Sequence, residues 1–189
     1  MPLWLWPLVM VFVVGSVVRI QPSDDPPTIA PDRLEARLHI LVNEARARLG
    51  RAPLRWSEPL ARIGRAHSAD MAARDFFAHT NPDGETFDDR FQRHGFTCHN
   101  PDLQGAAVGV MGENLYFSPP YRSIRVVRRG LRMTKAYDWK TLEDVARDAV
   151  QGWLDSPGHR RNLLNPDHAT QGIGVVVSEK GIYVSQELC

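Results

Sequence analysis

Two histidines and a glutamate stand out as groups that could do chemistry, each beside residues that end helices or turn the chain. His79 lies in Phe77-Ala-His79-Thr-Asn81-Pro-Asp-Gly, Glu113 in Gly112-Glu113-Asn114, and His159 in Trp153-Leu-Asp155-Ser156-Pro-Gly-His159-Arg-Arg-Asn162. Imidazole and carboxylate are ligand types of a zinc site that keeps positions open for water. Without metal, the same trio could pair a general base with a carboxylate that orients it. Local spacing alone supports neither. No His-Glu-x-x-His helix motif is present, and no serine sits in a nucleophile elbow. A lone histidine is more often a surface residue or a hydrogen-bonded part of a core, so convergence has to come from the fold.

The elements that must do this can be read from periodicity. Leu34, Leu38, Leu41, Val42, Ala45 and Leu49 recur at helical spacing over 33–49, with Asp32 as the expected cap, Glu35 three residues on, and Gly50 as the stop. A second helix is expected from Ser57-Glu-Pro59 to about Asp75, so that His79 falls just past its end. Along it Ala61, Gly64, Ser68 and Ala72 form a small-residue stripe that would let another element pack closely. Thr86 with Asp89 predicts a short third helix, and Thr141 with Asp144 a fourth carrying Trp153. Ser156-Pro157 opens a fifth through Leu164, which sets His159 in a first turn. Leu115 to Ser118 reads as a strand entered at Glu113, and Ile173–Ser178 with Ile182–Gln186 as a hairpin around Glu179-Lys-Gly. Helices and strands mix without a βαβ repeat. The expected class is α+β: an α-β-α sandwich with a small, largely antiparallel sheet between helices.

At 189 residues and a net charge of +1, the chain has a core large enough to fold alone and no global field calling for a polyanionic partner. Residues 1–18 hold no charged side chain and are mostly apolar, which fits either a secretory signal peptide or a membrane anchor. The expected organisation is therefore 1–20 signal or anchor, 21–30 proline-rich linker, and 31–189 one domain. Cys98 and Cys189 are too far apart for a metal knuckle. In an exported chain a bridge between them would tie down the C-terminus; the alternative is two unpaired thiols. Localisation outside the cytoplasm, secreted or anchored, is the reading that fits both features.

Arg122, Arg125, Arg128, Arg129, Arg132 and Lys135 crowd one stretch within a basic insertion at about 119–138. Spacings of three and four would gather them on one helical face, an anion-binding stripe for phospholipid headgroups, cell-surface polymer or nucleic acid. A solvated insertion loop is the preferred reading. The stripe lacks the interleaved aromatics that single-stranded nucleic acid binding uses, so nucleic acid is disfavoured.

Taken in order, Asn43-Glu44-Ala45-Arg46, Ala66-His67-Ser68-x-x-Met71, His79-Thr80-Asn81, Gly112-Glu113-Asn114, Trp153-x-x-Ser156-Pro-Gly-His159-Arg-x-Asn162 and Gly172-Ile-Gly-Val175 resemble the CAP superfamily. That group includes cysteine-rich secretory proteins, antigen 5 and plant pathogenesis-related proteins, and the Ser-Pro-Gly-His-Arg form resembles its prokaryotic branch. The likeness spans about residues 33–189 apart from the basic insertion. It implies a cleft of two histidines and two acids that in some members holds zinc or another divalent cation. His79 and Glu113 match the first histidine and the first acid. His159 is preferred for the second histidine, with His168 of His168-Ala-Thr-Gln171 as the alternative. Ser156 stands where the second acid often lies, and the adjacent Asp155 is a less secure substitute.

Two functions follow as expectations. The favoured one is an extracytoplasmic module that binds a lipid, a cell-envelope polymer or a protein ligand through this cleft, with residues 1–18 as a possible membrane tether. The alternative is a metal-dependent hydrolase of peptidase type in which His79 and His159 hold the ion and Glu113 activates water. His67 reads as a packed core histidine, Trp153 as a core anchor, and Asn114 as a residue that satisfies loop backbone.

Overall fold

The structure is a computed structural model that describes residues 26–98, 109–129 and 131–189, leaving out the side chains of residues 127, 129 and 132. The expected signal or anchor, the first half of the linker (21–25), and His99, a loop histidine expected to be exposed beside Cys98, lie outside the described residues. Helix α1 (Pro31–Arg48) is followed by β1 (Arg55–Trp56), α2 (Glu58–Arg74) and α3 (Phe87–Arg93). Next come β2 (Gly112–Ser118), β3 (Tyr121–Arg129), β4 (Arg132–Trp139), α4 (Leu142–Asp155), α5 (Pro157–Leu164), β5 (Thr170–Val177) and β6 (Ile182–Leu188). Strands β1-β5-β6-β2 form one sheet, antiparallel except for the β1–β5 pair, and β3-β4 form a second.

Alternation along the sheet explains the layers. Ile173, Val175, Ile182, Val184 and Leu188 point to one face, where they pack with Leu34, Leu38 and Val42 of α1 and Val145, Ala149 and Trp153 of α4. Tyr183 and Leu115 point to the other, onto Met71 of α2. The small-residue stripe of α2 lies where expected, and the sheet answers it with glycines. A Cβ on Gly172 would sit 2.0 Å from the Ala61 backbone nitrogen, and one on Gly174 would sit 1.9 Å from that of Arg65. Ser68 then donates to the Gly174 carbonyl at 2.9 Å. This close approach sets α2, and the loop after it, against the strands that carry the candidate site.

Several local expectations need correction. Helix α1 begins with Pro31 at its first position after Ala30, and Asp32 does not cap it. Glu35 faces inward instead, accepting from the Val175 backbone and from Arg65. Ser57 does cap α2, and Thr86 with Asp89 and Thr141 with Asp144 form full capping boxes. Ser156 precedes α5 without a side-chain cap. The basic stretch is neither a helical face nor a loop. It is the β3–β4 hairpin, since Ile124, Val126 and Val127 favour extended chain and cross-strand pairing satisfies their backbone. Strand alternation thereby puts Arg125 on one face and Arg128 and Lys135 on the other.

Cys98 and Cys189 are joined by a disulfide, which ties the end of β6 to the segment after α3 beneath Phe91. Trp153 is buried and donates its indole N–H to the Leu115 carbonyl at 2.9 Å, so it is a core anchor. No helix among the described residues is long and apolar enough to cross a membrane.

Candidate functional site

The site is assembled by three backbone anchors around the loop that follows α2. His67, buried on α2, donates its Nε2–H to the Ala78 carbonyl at 3.0 Å. Arg90, buried on α3, donates to the carbonyls of His79 at 2.9 Å and Glu85 at 3.3 Å. Asn81 then closes the next turn, its Oδ1 accepting from the backbones of Asp83 and Glu85. The main chain of His79 is thus held from both helices, while its side chain remains half exposed.

Beneath His79 lies Glu113, the second residue of β2, with a side chain 1% exposed. His79 donates Nδ1–H to Glu113 Oε1 at 2.7 Å, which leaves Nε2 as the ring nitrogen that Glu113 does not engage. Arg90 Nη2 donates to Glu113 Oε2 at 2.5 Å, and His67 Nε2 stands 3.9 Å from the same oxygen. Burial alone would push the Glu113 carboxyl up. The His79 hydrogen bond, then Arg90 and His67, outweigh it and hold the group below the ordinary glutamate range. A carboxylate so placed is an orienting and charge-balancing group.

His159 enters from the first turn of α5, its ring centroid 6.2 Å from that of His79. Burial, and then the neighbouring His79, lower its pKa. The helix is fixed to β2 by amides: Asn162 donates to the Glu113 carbonyl at 3.0 Å and to Asn114 Oδ1 at 3.1 Å, and Asn114 donates to the His159 carbonyl at 3.2 Å. A chain of side chains continues inward from Asn114 to Gln186 at 2.9 Å, to Gln171 at 2.7 Å, and to His39 Nδ1 at 2.8 Å. Asn114 therefore satisfies a backbone carbonyl in the first turn of α5, in place of the loop backbone expected of it.

His79, Glu113 and His159 come together, whereas the two less secure residues do not join them. His168 is buried under the start of β2, its Nδ1 on the Asn162 carbonyl at 3.0 Å, where it supports α5. Asp155 is exposed and accepts from Gln151 on its own helix. Two participants escaped sequence reading. Arg90 shares the inward face of α3 with Phe87 and Phe91, and that periodicity was the available signal. Glu187 pairs across strands with Glu113 and is fully buried. Burial, then the Glu113 charge, push its carboxyl well above the ordinary range. Alternation along β6 aligned Glu187 with Tyr183 and Ser185, but not with a second acid.

Zinc bound by His79, His159 and Glu113 together does not fit this arrangement. Both Glu113 oxygens are engaged, and the Arg90 guanidinium beside them opposes a cation. Two imidazoles remain, fewer than the three protein ligands of a catalytic zinc. Among the described residues no group of three or more His, Cys, Asp or Glu side chains is arranged to hold a metal ion.

Comparison with known proteins agrees with the fold. Residues 39–188 match the model of the cysteine-rich secretory protein family, CAP. An uncharacterised membrane protein of Bacillus subtilis, YlbC, is 30% identical over 141 residues, 75% of this chain and 31% of that protein. A second Bacillus subtilis protein, YkwD, is 30% identical over 155 residues, 80% of this chain and 47% of that one. The chain thus spans about a third to a half of these curated relatives. An extracellular protein containing a SCP domain from Bacillus anthracis superposes over 87% of this chain and 44% of its own, at 25% identity and a TM-score of 0.57. An outer surface protein of Borrelia burgdorferi superposes over 87% of this chain and 98% of its own, at 16% identity and a TM-score of 0.58, a likeness of fold alone.

Proposed function

The chain belongs to the cysteine-rich secretory protein family, CAP, and from that premise we propose that it is an extracytoplasmic binding module whose ligand sits between His79 and His159. The disulfide and the extracellular relative support the compartment. One observation carries the choice of binding over hydrolysis: both oxygens of Glu113 are committed to His79 and Arg90. A carboxylate held this way neither activates water nor serves as a third metal ligand. What it leaves at the opening is Nε2 of His79 beside the His159 ring, with the exposed Phe77 nearby in sequence. Imidazole hydrogen-bonding groups with an aromatic neighbour suit a hydroxyl-rich ligand, such as a cell-envelope polymer.

Zinc or another divalent cation enters this reading only as a guest of the two imidazoles, with Glu113 orienting His79 from behind. The test is capture of the protein by washed cell envelopes, alongside metal content, for wild type and a His79→Ala/His159→Ala variant. Retention lost in the variant, with no peptide or ester turnover in either, is the expected result. Turnover by wild type that disappears in the variant would instead establish a hydrolase.

A further inference from the structure

The β3–β4 hairpin plays no part in the cleft, and its surface is unusual for a solvated ribbon. Among the described residues, β3 and β4 pack chiefly on each other and form a sheet of their own. A lone two-stranded ribbon is marginal in water. Its base is secured: Tyr137 stacks on Trp139 at 4.6 Å, Tyr121 meets both rings, and Arg122 pairs with Asp144 of α4. Beyond the base the apolar side chains are uncovered. Ile124 is 39% exposed, Val126 57%, Met133 70%, and Leu131 at the turn 99%. The register puts Ile124, Val126 and Met133 on one face together with Arg128 and Lys135, and Arg125 on the other. Residues 122–135 contain six cations and no acid.

Exposed apolar side chains with Arg125, Arg128 and Lys135 beside them match the boundary of an anionic bilayer, where hydrocarbon and phosphate lie within a few ångströms of each other. A second observation comes from where the chain enters the fold. Pro26, Pro27, Thr28 and Ile29 line a groove of about 430 Å³ together with Pro120 and Trp139, at the base of this same hairpin. The uncharged apolar segment 1–18 precedes that point by seven residues, 19–25, which span at most about 25 Å. The hairpin from Ser123 to its turn is also seven residues long, about 24 Å at strand rise. A segment inserted in a bilayer and the hairpin tip can thus reach one plane from one edge of the molecule.

We propose that the β3–β4 hairpin docks on an anionic phospholipid surface, with Leu131 and Met133 entering the headgroup boundary and Arg125 and Lys135 meeting phosphates. The proposal is independent of the ligand in the His79–His159 cleft. It can be tested on the full chain carrying Leu131→Cys labelled with an environment-sensitive fluorophore, since both native cysteines are committed to the disulfide. The probe is a vesicle of phosphatidylcholine with phosphatidylglycerol, compared with phosphatidylcholine alone. A blue shift and flotation that need the anionic lipid and fade with salt are expected. Arg125→Gln/Lys135→Gln should weaken the affinity behind the shift about 25-fold at low salt, about 5-fold per cation. Both positions are exposed, so the unfolding midpoint should not move. Flotation with either vesicle but no probe shift would mean that the N-terminal segment alone binds, and would overturn the proposal. A shift given equally by phosphatidylcholine alone would remove the role of the cations. A shift given by an oligonucleotide but not by vesicles would replace the membrane with nucleic acid.

Discussion

Replacing Arg90 with methionine removes the cation under the cleft together with its bonds to the His79 and Glu85 carbonyls. The side chains of Arg90 and Glu113 are 2% and 1% exposed and meet at 2.5 Å. At an effective dielectric of about 20 that separation gives a gross attraction of about 7 kcal/mol, most of which offsets the desolvation of two buried charges. Removing the cation alone strands the carboxylate, and breaking such a pair costs about 3–5 kcal/mol. For a chain of this size that corresponds to a melting temperature lower by about 6–20 °C. The pH dependence follows from the lowered pKa of Glu113 in the folded protein. Stability from its ionised form is present above the unfolded value of about 4.3 and is lost as pH falls through the lower folded value. Arg90→Met removes a group that stabilises the anion, so the loss should be largest at neutral pH and shrink toward pH 4 as Glu113 takes up a proton. Adding Glu113→Gln should then recover at pH 7 the part of the loss that comes from the stranded carboxylate, while the His79 and Glu85 carbonyls remain without their donor. Urea unfolding of the single and double variants at both pH values measures this. A single variant as stable as wild type at pH 7, or a loss that the second substitution does not relieve, would refute the reasoning.

Other expectations test neighbouring parts of the account. Glu187 has a folded pKa raised above its unfolded one, so above about pH 4.3 the native state holds the extra proton and this residue costs stability as pH rises. Glu187→Gln should therefore gain stability at pH 7 and not at pH 4, read from urea midpoints; an equal change at both would discount its burial as an acid. Cys98→Ser with Cys189→Ser opens a bridge across a separation of 91 residues, and chain entropy puts the loss at about 4–5 kcal/mol, measurable by unfolding without reductant. Gly174→Ala drives a Cβ to 1.9 Å from the Arg65 backbone and should exceed the ~1–3 kcal/mol of ordinary overpacking, whereas Gly158→Ala meets nothing within 4 Å. Thermal melts of the pair decide it, and similar melting temperatures would count against the tight α2–β5 contact.

Much of this protein is local enough to be written in its sequence. The capping boxes at Thr86 and Thr141, the leucine spacing of α1, the small-residue stripe of α2 and the β5–β6 turn each depend on residues within a few positions of one another. Short motifs in a fixed order were enough to indicate the family and to single out His79, Glu113 and His159. The basic stretch is a hairpin and neither the expected loop nor the alternative helical face, because β-branched residues between the cations favour a strand. Other features arise between segments distant in sequence. Arg90 reaches Glu113 across 23 residues, and Glu187 faces it through strand pairing. Whether Glu113 is a base, a ligand or an ion-pair partner depends on which groups occupy its two oxygens. Residue type and spacing carry the first level of that information. The rest lies in a buried electrostatic balance that exists only once α2, α3 and β6 have closed around the carboxylate.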